Sequence, residues 1–129
     1  MNKPIIAVDF DGTVVLHEYP EVGADVPDAV RVLKRLNEAG VKIIVWTMRC
    51  GKHLEIDARQ WFESRGIDVW AYNENPEQHT WTESRKCYAQ AYIDDAAIGC
   101  PLVYPVTGRP YVNWLGVEEI LEAQGYFQN

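Results

Sequence analysis

Ile5-Ile6-Ala7-Val8-Asp9-Phe10-Asp11-Gly12-Thr13-Val14-Val15 is the stretch whose reading decides the fold. Its apolar run is strand-sized and bounded by a glycine, and a strand apolar on both faces belongs inside a parallel sheet. Asp9 and Asp11 stand at its C-terminal end. Side chains at i and i+2 of an extended chain point the same way, about 6–7 Å apart at roughly 3.3 Å per residue. Ligands of open parallel sheets bind beyond these strand ends. Gly12 permits a sharp turn and a close backbone approach to a ligand, which makes it a candidate substrate contact.

Working outward, residues 16–25 carry turn residues and no sustained period, the pattern of a loop or small hairpin over the strand end. Pro27 suits a helix start. Ala29, Val30, Leu33 and Leu36 then recur at helical spacing until Gly40. Residues 41–47 read as a second strand ending in Thr47, and residues 51–66 as a second helix carrying Leu54, Ala58, Trp61 and Phe62. A third strand over 67–72 leads into a polar loop, 73–82. A short helix over 84–90 is expected to precede a fourth strand, 91–94, with a fifth at 102–104. A Thr107-Gly108 turn and a last helix with Trp114, Val117, Ile120 and Leu121 follow. Strands alternating with helices predict an α/β fold: one three-layer, Rossmann-like domain over residues 1–129 around a mainly parallel five-stranded sheet.

Composition limits the function classes. The chain has 129 residues, 47% hydrophobic and 24% charged, which is ordinary for a soluble globular domain. No apolar run is long enough to span a bilayer, so no membrane role is expected. The start of the chain shows no signal-peptide pattern. Three cysteines without a C-x-x-C pair fit a reducing, cytoplasmic setting. Cys50 and His53 are half of a zinc pattern that lacks its second half. A net charge of −7 makes nucleic acid an unlikely partner.

Polar groups gather at successive strand ends: Asp9 and Asp11, then Thr47, then Asp94 and Asp95, with Lys86 eight residues before Asp94. In a doubly wound sheet these ends open on one edge. Converging carboxylates repel one another by several kcal/mol at intermediate dielectric. A divalent cation relieves that repulsion, and an all-oxygen set suits Mg²⁺. Lys86 and the Thr47 hydroxyl would then face an anionic group, the composition of a phosphoryl site.

These residues carry a family resemblance. Asp9-Phe10-Asp11-Gly12-Thr13 resembles the D-x-D-G-T motif of the haloacid dehalogenase (HAD) superfamily. Thr47 is similar to its second motif, Lys86 to its third, and Tyr92-Ile93-Asp94-Asp95 to its fourth. The resemblance covers roughly residues 5–97. It implies that Asp9 is a nucleophile forming an aspartyl-phosphate and also a metal ligand. Asp11 would be the general acid–base and lend its carbonyl to the metal. Thr47 and Lys86 would bind phosphate, and Asp94 and Asp95 would hold Mg²⁺. The acidic residue at Asp11 points to a phosphatase rather than a dehalogenase or ATPase of that superfamily. Neither gap between motifs is long enough for the cap domain common among its members, so the site is expected to be open unless a second copy of the chain covers it. His17, Tyr19, Arg49, Asn73, Asn75 and Trp81 remain as loop contacts for substrate, with Arg49 favoured because a guanidinium grips phosphate bidentately. A small soluble phosphomonoester is the expected substrate. The alternatives are a nucleic-acid end, a phosphoprotein, or a phospho-acceptor or binding domain without turnover. For a response-regulator-like domain the order of the acidic motifs is wrong.

Overall fold

The computed structural model of the chain describes residues 3 to 128. Strand β1 (Ile5–Val8) has all four residues buried. It lies between β2 (Lys42–Val45) and β4 (Ala91–Ile93), with β3 (Ala71–Tyr72) outside β2. Every pairing in this sheet is parallel. Val8 stands level with both Val45 and Ile93. Asp9, Trp46 and Asp94 therefore leave the sheet at one height. The ladder continues one step past the strands: the amide of Asp9 donates to the Ile93 carbonyl at 2.9 Å and that of Trp46 to the Val8 carbonyl at 2.8 Å.

Helices α1 (Ala29–Glu38), α2 (Lys52–Ser64) and α3 (Trp114–Ala123) cover one face of the sheet. Ala29, Val32, Leu33 and Leu36 of α1 recur at i, i+3, i+4 and i+7 and are buried, the single apolar stripe that a core-facing helix needs. Ala58, Trp61 and Phe62 from α2 and Trp114, Val117 and Leu121 from α3 join the same core, packed on Ile6, Val8, Ile43, Val45 and Ile93. Alternate residues Ile5, Ile44 and Ala71 face the other way, against Cys87, Ala89, Trp46 and Trp70. Arg31 and Arg35 of α1 both reach Glu118 of α3, at 2.8 and 2.9 Å, fastening the two helices across their exposed edge.

Three expectations change. Among the described residues the sheet has four strands, not five. The expected fifth strand forms β5 (Leu102–Val103), which pairs antiparallel with β6 (Tyr111–Val112) as a separate hairpin turning at Gly108. Residues 84–90 form no helix; one 3-10 turn at Gln78–Thr80 precedes them. Because that segment is irregular, the three-layer reading reduces to helices on one face and coil on the other. The loop after β1 is the small hairpin anticipated, closed by Leu16 amide to Ala24 carbonyl at 2.9 Å and Val26 amide to Val14 carbonyl at 2.8 Å.

Candidate functional site

The parallel register brings the two acidic strand ends together. Asp9, Asp94 and Asp95 each offer a carboxylate oxygen within 4.8 Å of the others. Thr13, wholly buried, links them: its hydroxyl lies 3.0 Å from Asp9 Oδ2 and accepts the Asp95 amide at 3.2 Å. His17 Nε2 holds Asp95 Oδ2 at 2.9 Å. Gly12 has φ +81, and a Cβ there would stand 2.0 Å from His17 Nε2 and 2.5 Å from Asp95 Oδ2. The positive φ favours glycine here whatever the space, and this side of Gly12 faces His17 and Asp95.

Asp9 and Asp94 resist ionisation. Burial, with the nearby charge of Asp94 second, pushes the Asp9 carboxyl up to about 8. Asp94 is raised by its own burial, with Asp95 adding to the effect, while the Ala96 amide donating to Oδ1 at 2.8 Å works against it. Positive charge brought to the cluster would favour the Asp9 carboxylate. Three convergent hard oxygens fit a divalent cation of the Mg²⁺ type. The Asp11 side chain lies outside the trio, in keeping with a residue expected to offer a metal its backbone carbonyl only.

The sign of this shift gives a prediction. Between about pH 4 and about pH 8 the folded state retains a proton on Asp9 that the unfolded chain has released. Stability falls with pH wherever the folded state binds more protons. Thermal unfolding in EDTA should therefore show a transition temperature that declines across this window. Mg²⁺, which competes with the proton, should raise it more at pH 8 than at pH 5. A flat metal-free profile, or an equal gain at both pH values, would contradict the assigned electrostatics.

Arg49 holds Asp11 instead. The guanidinium donates from Nε and Nη2 to the two Asp11 oxygens, both at 2.8 Å. It also donates to the carbonyls of Pro20 at 3.1 Å and Glu21 at 2.8 Å, and is only 1% exposed. The carboxylate beside it raises the Arg49 pKa further above its ordinary value. Arg49 is thus an internal cross-link among Asp11, the 16–25 hairpin and the end of β2, not the surface anion grip expected. Acid–base work at Asp11 requires this fork to open.

Thr47 lines the cleft beside Asp9 and Asp94. Its Oγ1 accepts the Arg49 amide at 3.1 Å, leaving the hydroxyl proton free to donate. Asn73, expected to meet substrate, has both ends of its amide occupied: Oδ1 accepts the Thr47 amide at 2.8 Å and Nδ2 donates to the Arg49 carbonyl at 3.3 Å. It is a brace for Thr47. Asn75 is likewise buried in the loop, donating to the Tyr88 carbonyl at 3.0 Å and accepting from the Glu77 amide at 3.0 Å. Trp81 packs edge-on against Tyr88. Lys86 is exposed, its Nζ 5.8 Å from the ring centre of Tyr92, and it is not among the groups lining the acidic cleft.

The cleft encloses about 490 Å³ and includes Asp9, Thr47, Asp94, Asp95, Tyr19 and Arg109. Arg109 was not singled out in the sequence, because the strands on either side of it were not read as a hairpin beside the site. The adjacent Thr107-Gly108 turn was the available signal. The hairpin is fixed there by the Val112 amide donating to the Gly12 carbonyl at 3.0 Å, and α3 by Trp114 Nε1 donating to the Thr13 carbonyl at 2.7 Å.

The fold and site define an α/β protein with an acidic cluster at the C-terminal edge of a parallel sheet. A solved structure, described as that of a conserved protein coded by a locus from Bacteroides thetaiotaomicron, is 37% identical to the chain, with a TM-score of 0.77. The match covers 95% of this chain and 93% of that one, so the chain belongs to the same family as that conserved protein. No family model matches the sequence, and no curated protein does. Among the described residues no helix is long and apolar enough to cross a membrane.

Proposed function

We propose that the chain is a Mg²⁺-dependent phosphomonoester hydrolase of the HAD type, working on small phosphate esters through an aspartyl-phosphate on Asp9. The observation that carries this reading is the meeting of Asp9, Asp94 and Asp95 beside the free hydroxyl proton of Thr47. The D-x-D-G-T motif and the other three motifs add their resemblance. Asp9, Asp94 and Asp95 would hold the ion, which when bound neutralises carboxylate and phosphoryl charge. Asp9 attacks phosphorus while the bond from phosphorus to the ester oxygen breaks. Asp11, released from Arg49 and protonated, gives its proton to the departing alkoxide. Asp11 then takes a proton from water as that water attacks phosphorus, freeing Asp9 and inorganic phosphate. The Thr47 hydroxyl donates to a phosphoryl oxygen, while Lys86, expected to join it, lies outside the cleft lining.

An assay with 4-nitrophenyl phosphate tests the proposal. Hydrolysis should require Mg²⁺, stop in EDTA, and need roughly tenfold or more Mg²⁺ for half-maximal rate in Asp94→Asn, which exchanges a charged ligand for a neutral one. Equal rates in EDTA, or no hydrolysis of any ester in a broad panel with Mg²⁺, would rule it out.

A further inference from the structure

We propose that Arg109 is a phosphoryl-binding residue, presented to the cleft by the β5–β6 hairpin. This rests on the phosphoryl-transfer reading above and adds to it a contact that none of the four motifs contains.

The charge inventory of the cleft motivates the inference. Asp9, Asp11, Asp94 and Asp95 line it together with Arg49 and Arg109. Arg49 balances one carboxylate and a divalent cation balances two more, so a phosphoryl dianion entering the site still meets excess negative charge. While the fork to Asp11 is closed, as in this structure, Arg49 offers no cation to a ligand: it is buried, and Asp11, Pro20 and Glu21 occupy its donors. His17 is committed to Asp95. Arg109 is exposed, and among the described residues its side chain makes no ion pair or hydrogen bond. Its donors are free to meet a ligand.

The hairpin's placement makes this more than an arginine on a loose loop. Arg109 precedes Tyr111, which pairs with Val103, and Val112 donates to the carbonyl of Gly12, one residue from Asp11 and Thr13. The backbone that carries Arg109 is thus hydrogen-bonded to the loop that carries the acidic residues. A guanidinium fork matches two phosphoryl oxygens in one plane. A contact to oxygens that neither attack nor leave is made equally in ground and transition states, so it should act on binding more than on turnover.

Calorimetric titration with inorganic phosphate in Mg²⁺, alongside steady-state kinetics, tests this. Arg109→Gln should weaken phosphate binding roughly tenfold or more, the scale of one lost charged hydrogen-bond pair. It should raise KM by a similar factor for esters of every size, with kcat changing less than about threefold. Arg109→Lys should recover part of the loss, and the transition temperature should stay unchanged because the side chain is exposed. Phosphate affinity unaltered in Arg109→Gln would overturn the inference. So would a defect confined to esters bearing a second anionic group, which would move Arg109 to the leaving-group side. Asp9→Asn separates the two levels: if it is inactive while Arg109→Gln binds phosphate normally, only the inference falls. If Asp9→Asn turns over like the wild type, the nucleophile is wrong while the Arg109 contact is still decided by calorimetry. A wild-type protein that neither binds phosphate nor hydrolyses an ester removes both.

Discussion

Asp9→Asn should abolish hydrolysis of 4-nitrophenyl phosphate, by about 10³-fold or more, and at the same time stabilise the metal-free protein at pH 8. The loss follows from chemistry: a neutral amide is not a nucleophile toward phosphorus, and no other carboxylate shares the position set by β1. The gain follows from electrostatics. Burial and Asp94 make an ionised Asp9 costly, and an amide of the same shape carries no charge. The fold should tolerate the change, since the Thr13 hydroxyl that meets Asp9 Oδ2 can equally donate to an amide oxygen, and the Asp9 backbone bond to Ile93 is untouched. Rates should be read with Mg²⁺ and unfolding temperatures in EDTA. Retention of more than a few per cent of the wild-type rate would remove Asp9 as the nucleophile, whatever happened to stability.

The second large effect is on stability and comes from Asp11. The Arg49 side chain has no exposed surface and Asp11 has 17%. Removing one partner of a buried ion pair strands the other charge, at a cost of roughly 3–5 kcal/mol. Asp11→Ala leaves the guanidinium with only the Pro20 and Glu21 carbonyls. It should lower the urea-derived unfolding free energy by about that amount, a large part of the roughly 5–15 kcal/mol typical of a domain. Asp11→Asn should cost less, because its oxygen still accepts one bond. Arg49→Met should also cost less than Asp11→Ala, because the partly exposed carboxylate can rehydrate where the buried guanidinium cannot. A loss below about 1 kcal/mol in Asp11→Ala would show that the fork is not structural.

Asp9 and Asp94 were legible in the sequence because each follows a short apolar run, and parallel register then fixes their common height. Thr47 was legible for the same reason. Arg49 was not. Its fate depends on Asp11, 38 positions earlier, and on two backbone carbonyls of the 16–25 hairpin, none of which has a periodic signature. The segment 84–90 reads as helix but is not one, because its backbone partners come from a side chain. Gln78 donates to the carbonyls of Ser84 and Lys86 and accepts from the amide of Tyr88, taking groups that a helix would pair internally. Cys87 is buried and Ala89 packs beside it on the same face, two residues apart, which is strand-like spacing in a stretch too short to be decisive. The fifth strand is misplaced because three residues between Pro101 and Pro105 say nothing of which sheet they join, and Tyr111 and Val112 offer an equally short partner.

The bond from Trp114 Nε1 to the Thr13 carbonyl spans 101 positions of chain. Synthesis runs from the N-terminus, so the acidic loop leaves the ribosome long before its anchoring indole exists. Asp94 and Asp95 follow the loop only after the first three strands have been made, the hairpin comes after them, and the anchoring indole comes last. The acidic cluster therefore cannot assemble until most of the chain has been made.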